Sequence, residues 1–254
     1  MVQAVDATNF VTASEASYQA FKTATLSKTL NVNVLIMGES GVGKKCLASF
    51  ILPDAPIVDA SNFDKLLLSL EKSSKIIISN IDNSPNIERL IEAIKDKSIH
   101  VIATSKQSFS NEFIDDLFSV KLDIPPLSQR DEDVGELVDL FEEEAIGLFG
   151  GKQRLDLKNF VPDLSCNSHS LKRQVMVNYL LQDIQDNELM QIIENYLHDK
   201  LGSNSDYRSY LYLYEAPLIK AGLHRFKSQL QLADKLGLNR NTLRKKISDN
   251  KKYL

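Results

Sequence analysis

The segment Gly38-Glu-Ser-Gly41-Val-Gly43-Lys44 constrains this chain more than any other. It fits G-x-x-x-x-G-K. It stands between Asn33–Met37 (NVLIM), which reads as a buried strand, and an apolar run, Cys46–Leu52, which reads as a helix. Glycines let such a loop curl until its N–H groups point inward as an anion nest. The helix that follows adds the positive end of its dipole, and the lysine reaches the outer phosphates. The nucleotide-binding residues are therefore Gly38, Glu39, Ser40, Gly41, Val42, Gly43, Lys44 and Lys45, with ATP or ADP as the expected ligand. A P-loop of the usual kind has Ser or Thr after the lysine to hold Mg²⁺. Lys45 has only donors to offer. It either supplies charge in place of the metal or points to solvent, and no tightly held Mg²⁺ is expected.

The rest of the first half fits a loop of this kind. Strand-like runs at Pro56–Ala60, Lys75–Ser79, His100–Thr104 and Val120–Ile124 alternate with helical patterns at Asn62–Leu70 and Asn86–Lys95. This rhythm predicts a parallel sheet with helices on both faces. After Pro125-Pro126 the strand signals stop. Asp131–Leu148, Leu171–Leu181 and Glu188–Leu201 read as helices, and Leu201–Ser205 is the best linker candidate. The predicted architecture is α/β: a P-loop core over 1–130, a helical lid over 131–202 and an all-α module over 206–254.

The chain is 43% hydrophobic and 25% charged, a globular balance. Its two cysteines, Cys46 and Cys166, form no metal-ligand pattern, and no metal site is expected. No apolar run nears the roughly 18 residues of a membrane span, and MVQAVDATNF does not read as a secretion signal. A cytoplasmic, nucleoid-associated protein with no membrane partner is expected. The net charge of −4 is unevenly spread. From Lys227 to Leu254 there are eight basic and two acidic residues, a net +6 on an otherwise acidic chain. A basic tail of this sort suits a polyanion.

The tail has a pattern as well as a charge. Pro217 suits a first helical turn. Ser228–Leu236 reads as a short helix ended by Gly237, and Asn239 caps a second helix from Arg240 to Ser248. Leu243 and Ile247 face inward at i, i+4, which leaves a basic outer face. Two helices joined by a tight glycine turn, the second one basic, form a helix-turn-helix. The predicted DNA-binding residues are Arg240, Asn241, Thr242, Arg244, Lys245 and Lys246. Of these types, Arg and Asn can read guanine and adenine edges in double-stranded DNA. The Tyr-rich run Tyr207–Tyr214 before this module reads equally as a contact surface or as ordinary packing.

Over about residues 8–254 the chain resembles the NtrC-like, sigma-54-interacting AAA+ transcription regulators with a Fis-type helix-turn-helix. GESGVGKK is similar to that family's GESGTGKE. Leu122–Val134 (LDIPPLSQRDEDV) resembles its I-x-L-P-P-L-R-x-R-x-x-D-I segment, and AGLHRFKSQLQLADKLGLNRNTLRKKI resembles its Fis-type tail. The resemblance implies an AAA+ core, a tail that pairs as a homodimer through its first helix (about Pro217–Phe226), and room for a higher oligomer.

The departures from the family matter as much. Its acidic pair after the third strand is here Ser79-Asn80, and its two interface arginines match Ser110 and Asp116. The sensor arginine becomes His169, and no GAFTGA loop fits between Phe50 and Lys75. No receiver domain stands ahead of the P-loop. Asp82 could be a displaced acid, although strand geometry places it past the phosphates. The resemblance then implies a truncated, degenerate member: a sequence-specific DNA-binding regulator that binds ATP without hydrolysing it and is not an enzyme. Contact with RNA polymerase stays open. The alternatives are an ATP-hydrolysing activator of sigma-54 RNA polymerase and an adaptor to a full-length relative.

Overall fold

A computed structural model of the chain describes residues 10–106, 112–150, 154–157 and 160–254. The N-terminal stretch read for a secretion signal, apart from Phe10, and Ser110 lie outside them. The chain divides into two compact units, residues 1–183 and 184–254.

The first unit is built on five strands: β1 (Val34–Met37), β2 (Ile57–Asp59), β3 (Lys75–Ser79), β4 (His100–Ser105) and β5 (Val120–Asp123). All pair in parallel in the order β2-β3-β4-β1-β5. Leu35 lies opposite Ala103, and Ile77 opposite Ile57 and Ile102. A parallel sheet covered on both sides needs near-continuous apolar strands, and VLIM and KIIIS supply them. Alternate residues go to opposite faces. Leu35, Met37, Ile76, Ile78, Val101 and Ala103 face one core, shared with α3 (Phe63–Lys72), α4 (Ile87–Asp96) and α5 (Glu112–Leu117). Val34, Ile36, Ile77, Ile102 and Leu122 face the other, shared with α1 (Glu15–Leu30) and α2 (Lys44–Ile51).

Helix α1 carries no clear apolar stripe in the sequence. Its buried face is Ser17, Ala20, Ala24 and Ser27. Small residues allow close packing on α2, where bulk rather than hydrophobicity decides the fit. Helices α6 (Asp131–Phe149) and α7 (Ser168–Leu181) form the lid around Leu127, Val134, Leu137, Val138, Phe141, Leu171 and Val175.

The lid ends earlier than the sequence predicts. Helix α8 (Asp186–His198) groups with the C-terminal unit, so the division falls at 183/184 rather than in the 202–206 linker. Tyr210 of α9 (Asp206–Tyr210) donates its hydroxyl to the Lys200 carbonyl at 3.0 Å and closes the intervening loop. The Tyr-rich run packs within this unit in part, with Tyr212 stacked on Tyr253 at 4.4 Å, while Tyr207 and Tyr214 stay exposed. The remaining helices are α10 (Tyr212–Phe226), α11 (Gln229–Lys235) and α12 (Arg240–Asp249). Pro217 lies inside α10, not in its first turn, because α10 starts at Tyr212. The missing N–H leaves the Leu213 carbonyl without its intrahelical donor.

One buried ion pair ties the first unit together. Arg130 and Asp133 approach to 3.3 Å with side chains 3% and 1% exposed. The Asp133 carboxylate also accepts from Ser14 N, Ser14 Oγ and Ser17 Oγ at 2.8–3.0 Å, where α1 begins. Removing one partner of a buried pair strands the other charge. We expect Asp133→Ala to lower stability by about 3–5 kcal/mol in urea unfolding, and a loss below about 1 kcal/mol would mean that the pair anchors nothing.

Candidate nucleotide site and nucleic-acid interface

Strand β1 delivers the P-loop to the carboxyl edge of the sheet, where ligands of such sheets lie. The three glycines are held by different constraints. Gly38 (φ 143°) leaves 2.5 Å between a would-be Cβ and the Ile124 carbonyl oxygen. Gly41 (φ 82°) leaves the same distance to the Cys166 oxygen, and at Gly43 (φ 105°), which caps the start of α2, a Cβ would come to 2.7 Å from the Phe10 ring. A side chain at any of them would meet backbone or ring and strain φ as well.

Lys44 is buried and folded back on its own loop. Its ammonium donates to the Gly38 carbonyl at 2.5 Å and the Glu39 carbonyl at 2.6 Å. Burial pushes its pKa below the ordinary 10.5. Asp82 opposes that shift, and the positive charges of Lys106 and Lys45 add to it. Lys45 itself is exposed.

The lid clasps the loop. Asn167 Nδ2 donates to Glu39 Oε2 and to the Ser40 carbonyl, both at 2.9 Å, and Asn167 Oδ1 accepts from Leu127 N at 2.6 Å. Ser168 donates its hydroxyl to the Gly41 carbonyl at 2.6 Å. Arg130 donates to the Val42 carbonyl at 3.1 Å. Between loop and lid lies a cavity of about 480 Å³, lined by Phe10, Gly41, Gly43, Cys46, Phe141 and His169 among others. His169, which the resemblance sets in place of an arginine, thus faces this cavity. A largely apolar cleft beside an anion nest has the shape and chemistry for a flat base with phosphates attached.

At the end of β3, Asn80 donates to Asp59 Oδ2 at 2.7 Å, and the Ser79 hydroxyl faces the same carboxylate at 3.4 Å. Burial pushes the Asp59 carboxyl up, but hydrogen bonds from Ser61, Asn80 and Ser79 prevail and hold it below the usual range. Asp59 is twenty residues before Ser79 in the chain, so only strand pairing reveals it. Asp82, the candidate displaced acid, follows β3 in a short 3₁₀ turn, and its charge acts on Lys44. Asp116, at one of the family's arginine positions, pairs with Lys95.

In the C-terminal unit, Ile219, Leu232, Ala233 and Leu243 form a small core that sets α11 against α12. Gly237 takes φ 64° between them, and Asn239 caps α12 by accepting from Asn241 N at 2.9 Å. Arg240, Asn241, Thr242, Arg244 and Lys245 are all exposed on α12. Lys246 is not part of that outer face. Its ammonium pairs with the partly buried Glu215 of α10, and Asn250 bonds to the Lys246 carbonyl at 3.0 Å. The helical step from Leu243 to Lys246 turns that side chain inward.

Residues 10–72 match the sigma-54 interaction domain, and residues 212–249 match the Fis family of bacterial regulatory proteins. The DNA-binding transcriptional regulator NtrC of Rhizobium meliloti is 30% identical over 171 residues, covering 51% of this chain. The chain spans only 35% of that relative's length. NtrX from Brucella abortus in complex with ADP has the same fold, with a TM-score of 0.58 at 19% identity over 94% of this chain and 69% of that one. Its ATP complex gives 0.56 at 18% identity, over 95% and 69%.

These matches overturn the expectation that the chain is not an enzyme. The segment with the P-loop falls in a domain family whose members are typically ATPases. The lack of acids at positions 79 and 80 does not strip the region of carboxylates either, since Asp59 and Asp82 are both present. The chain is thus similar to NtrC-like regulators at both ends, in the sigma-54 interaction domain over residues 10–72 and in the Fis-type segment over residues 212–249.

Proposed function

We propose that this chain is a sequence-specific DNA-binding transcription regulator whose P-loop domain takes up an adenine nucleotide. The observation that carries the reading is α12, a helix capped by Asn239 and anchored by Leu243, with five polar or basic side chains free on its outer face. Arg240 and Asn241 stand at its start, where a recognition helix brings side chains to base edges. Arg244 and Lys245 hold phosphates, and Lys246 braces the module from inside. The protein then acts in the cytoplasm, on the nucleoid. Arg240→Ala should cost about 1–3 kcal/mol on the cognate duplex and little on random DNA. Lys245→Ala should weaken both alike and lower the salt slope by about one. A salt titration on the two duplexes reads this, and equal weakening by Arg240→Ala would falsify sequence reading.

The tail works as a dimer on a two-fold site. Helix α8 supports this: Leu189, Ile192, Ile193 and Tyr196 recur at i, i+3, i+4 and i+7, all are exposed, and no residue of the helix is buried. A second copy covers that stripe. The pairing surface then lies on α8 rather than on α10, whose Ala216, Ile219 and Gly222 are already buried. Two recognition helices about 34 Å apart then meet successive major grooves. Sedimentation of Ile192→Asp should show a monomer, with affinity for a two-fold site reduced and that for a half-site kept. An unchanged dimer would remove α8 from the interface.

At the P-loop, the base enters the cavity beside Phe10, and Lys44 releases its carbonyls to take the outer phosphates. Only the charged ammonium attracts phosphate. Affinity should therefore hold at neutral pH and fall as pH rises through the lowered Lys44 pKa, before the ordinary lysine value of 10.5. Nucleotide titrations from neutrality upward check this. A flat profile to beyond that value, or the same limb in Lys44→Ala, would sink it. Lys45 gives Mg²⁺ no ligand, so any divalent cation is held loosely. A second reading, an ATP-hydrolysing activator of sigma-54 RNA polymerase, is favoured by the match of residues 10–72 to the sigma-54 interaction domain.

A further inference from the structure

Strand β3 ends at Ser79, and the backbone then turns sharply. Asn80 takes φ 53°, and its N–H donates to Thr104 Oγ1 on β4 at 3.1 Å. Its side-chain amide donates to Asp59 on β2, and the Ser79 hydroxyl faces that same carboxylate. Both side chains are therefore directed toward β2, on the far side of β3 from β4 and β1. The 3₁₀ turn that follows, Ile81–Asn83, goes the other way. It packs on β4, the neighbour of β1, and fully buried Ile81 pins it there. Asp82 is the middle residue of this turn.

Two oxygens on the turn have no hydrogen-bond partner although both are buried. They are Asp82 Oδ1 and Ser84 Oγ. A desolvated carboxylate oxygen without a donor is costly and calls for a compensating group. Of the charges acting on Lys44, that of Asp82 is the largest. A buried, orphaned oxygen and an electrostatic pull on the P-loop lysine thus converge on one carboxylate.

We propose that Asp82 is the cation ligand of the nucleotide site. Its carboxylate holds the divalent cation that arrives with the outer phosphates, a place that Ser79 and Asn80 have left by turning to Asp59. This inference rests on the nucleotide reading above. Magnesium in such sites takes one or two carboxylates plus phosphate oxygens and keeps several waters. A single carboxylate on a turn, with Lys45 contributing nothing, meets that need at the loose end. Once the phosphates arrive, Lys44 moves to them, and the cation takes over the Asp82 charge that Lys44 balanced.

The test is binding of the β,γ-imido analogue of ATP to the whole chain, in EDTA and in Mn²⁺, with bound Mn²⁺ read separately by electron paramagnetic resonance. Wild type should bind the analogue at least about tenfold tighter in Mn²⁺. Asp82→Asn should lose that gain and the bound Mn²⁺ signal, while its affinity in EDTA equals or exceeds that of wild type. Asp82→Glu should recover part of the gain, and it carries the test if Asp82→Asn does not fold. A full Mn²⁺ gain in Asp82→Asn overturns the proposal, and so does wild type that binds the analogue with no Mn²⁺ gain. In the latter case Asp82 is only the counter-ion of Lys44. Wild type that binds no analogue at all, in either condition, fails the nucleotide reading itself and takes this inference with it.

Discussion

Much of the first unit depends on two charges that water barely reaches. Taking Arg130 and Asp133 into the interior costs several kcal/mol per ion unless geometry and further hydrogen bonds compensate. Here they do. Asp133 collects donors from the first turn of α1, and Arg130 spends a donor on the Val42 carbonyl in the P-loop. The pair therefore joins three distant segments: the start of α1, the phosphate loop and the first turn of α6. A hydrophobic pair of similar volume could pack as well, but it could not fix the orientation of a peptide carbonyl in the loop.

The clasp from the lid has the same logic at smaller scale. Asn167 sits at φ 52° and uses its whole side-chain amide, donating to Glu39 and Ser40 and accepting from Leu127. The residue in that place thus needs both an acceptor and two donors. Among the side chains only Asn and Gln carry both in one planar group.

What could be read in the sequence was what repeats locally. The run VLIM before GESGVGKK, and Gly237 with Asn239 before RNTLRKKI, each place an element by short-range chemistry. The structure has strand and helix at the first place and cap and helix at the second. Helix α1 was silent because a face of Ser and Ala carries no hydrophobic period. Pro217 misled because proline marks a helix start only on average, and here a helix runs through it. Lys246 misled because its sequence neighbours are basic and exposed, whereas its partner, Glu215, is thirty-one residues away. Asp59 escaped for a related reason: its role comes from strand pairing, which has no signature in spacing, whereas Asp82 was legible as an acid and only the turn that carries it was not.

The posture of Lys44 has a consequence for any measured affinity. Two peptide carbonyls of its own loop already hold the ammonium, at 2.5 and 2.6 Å. They behave as a built-in competitive inhibitor whose effective concentration is set by the chain. A phosphate must displace them, so the binding constant reports an exchange between two acceptors rather than the strength of either. A substitution that disturbs the Gly38 or Glu39 carbonyl could then tighten nucleotide binding without touching the nucleotide.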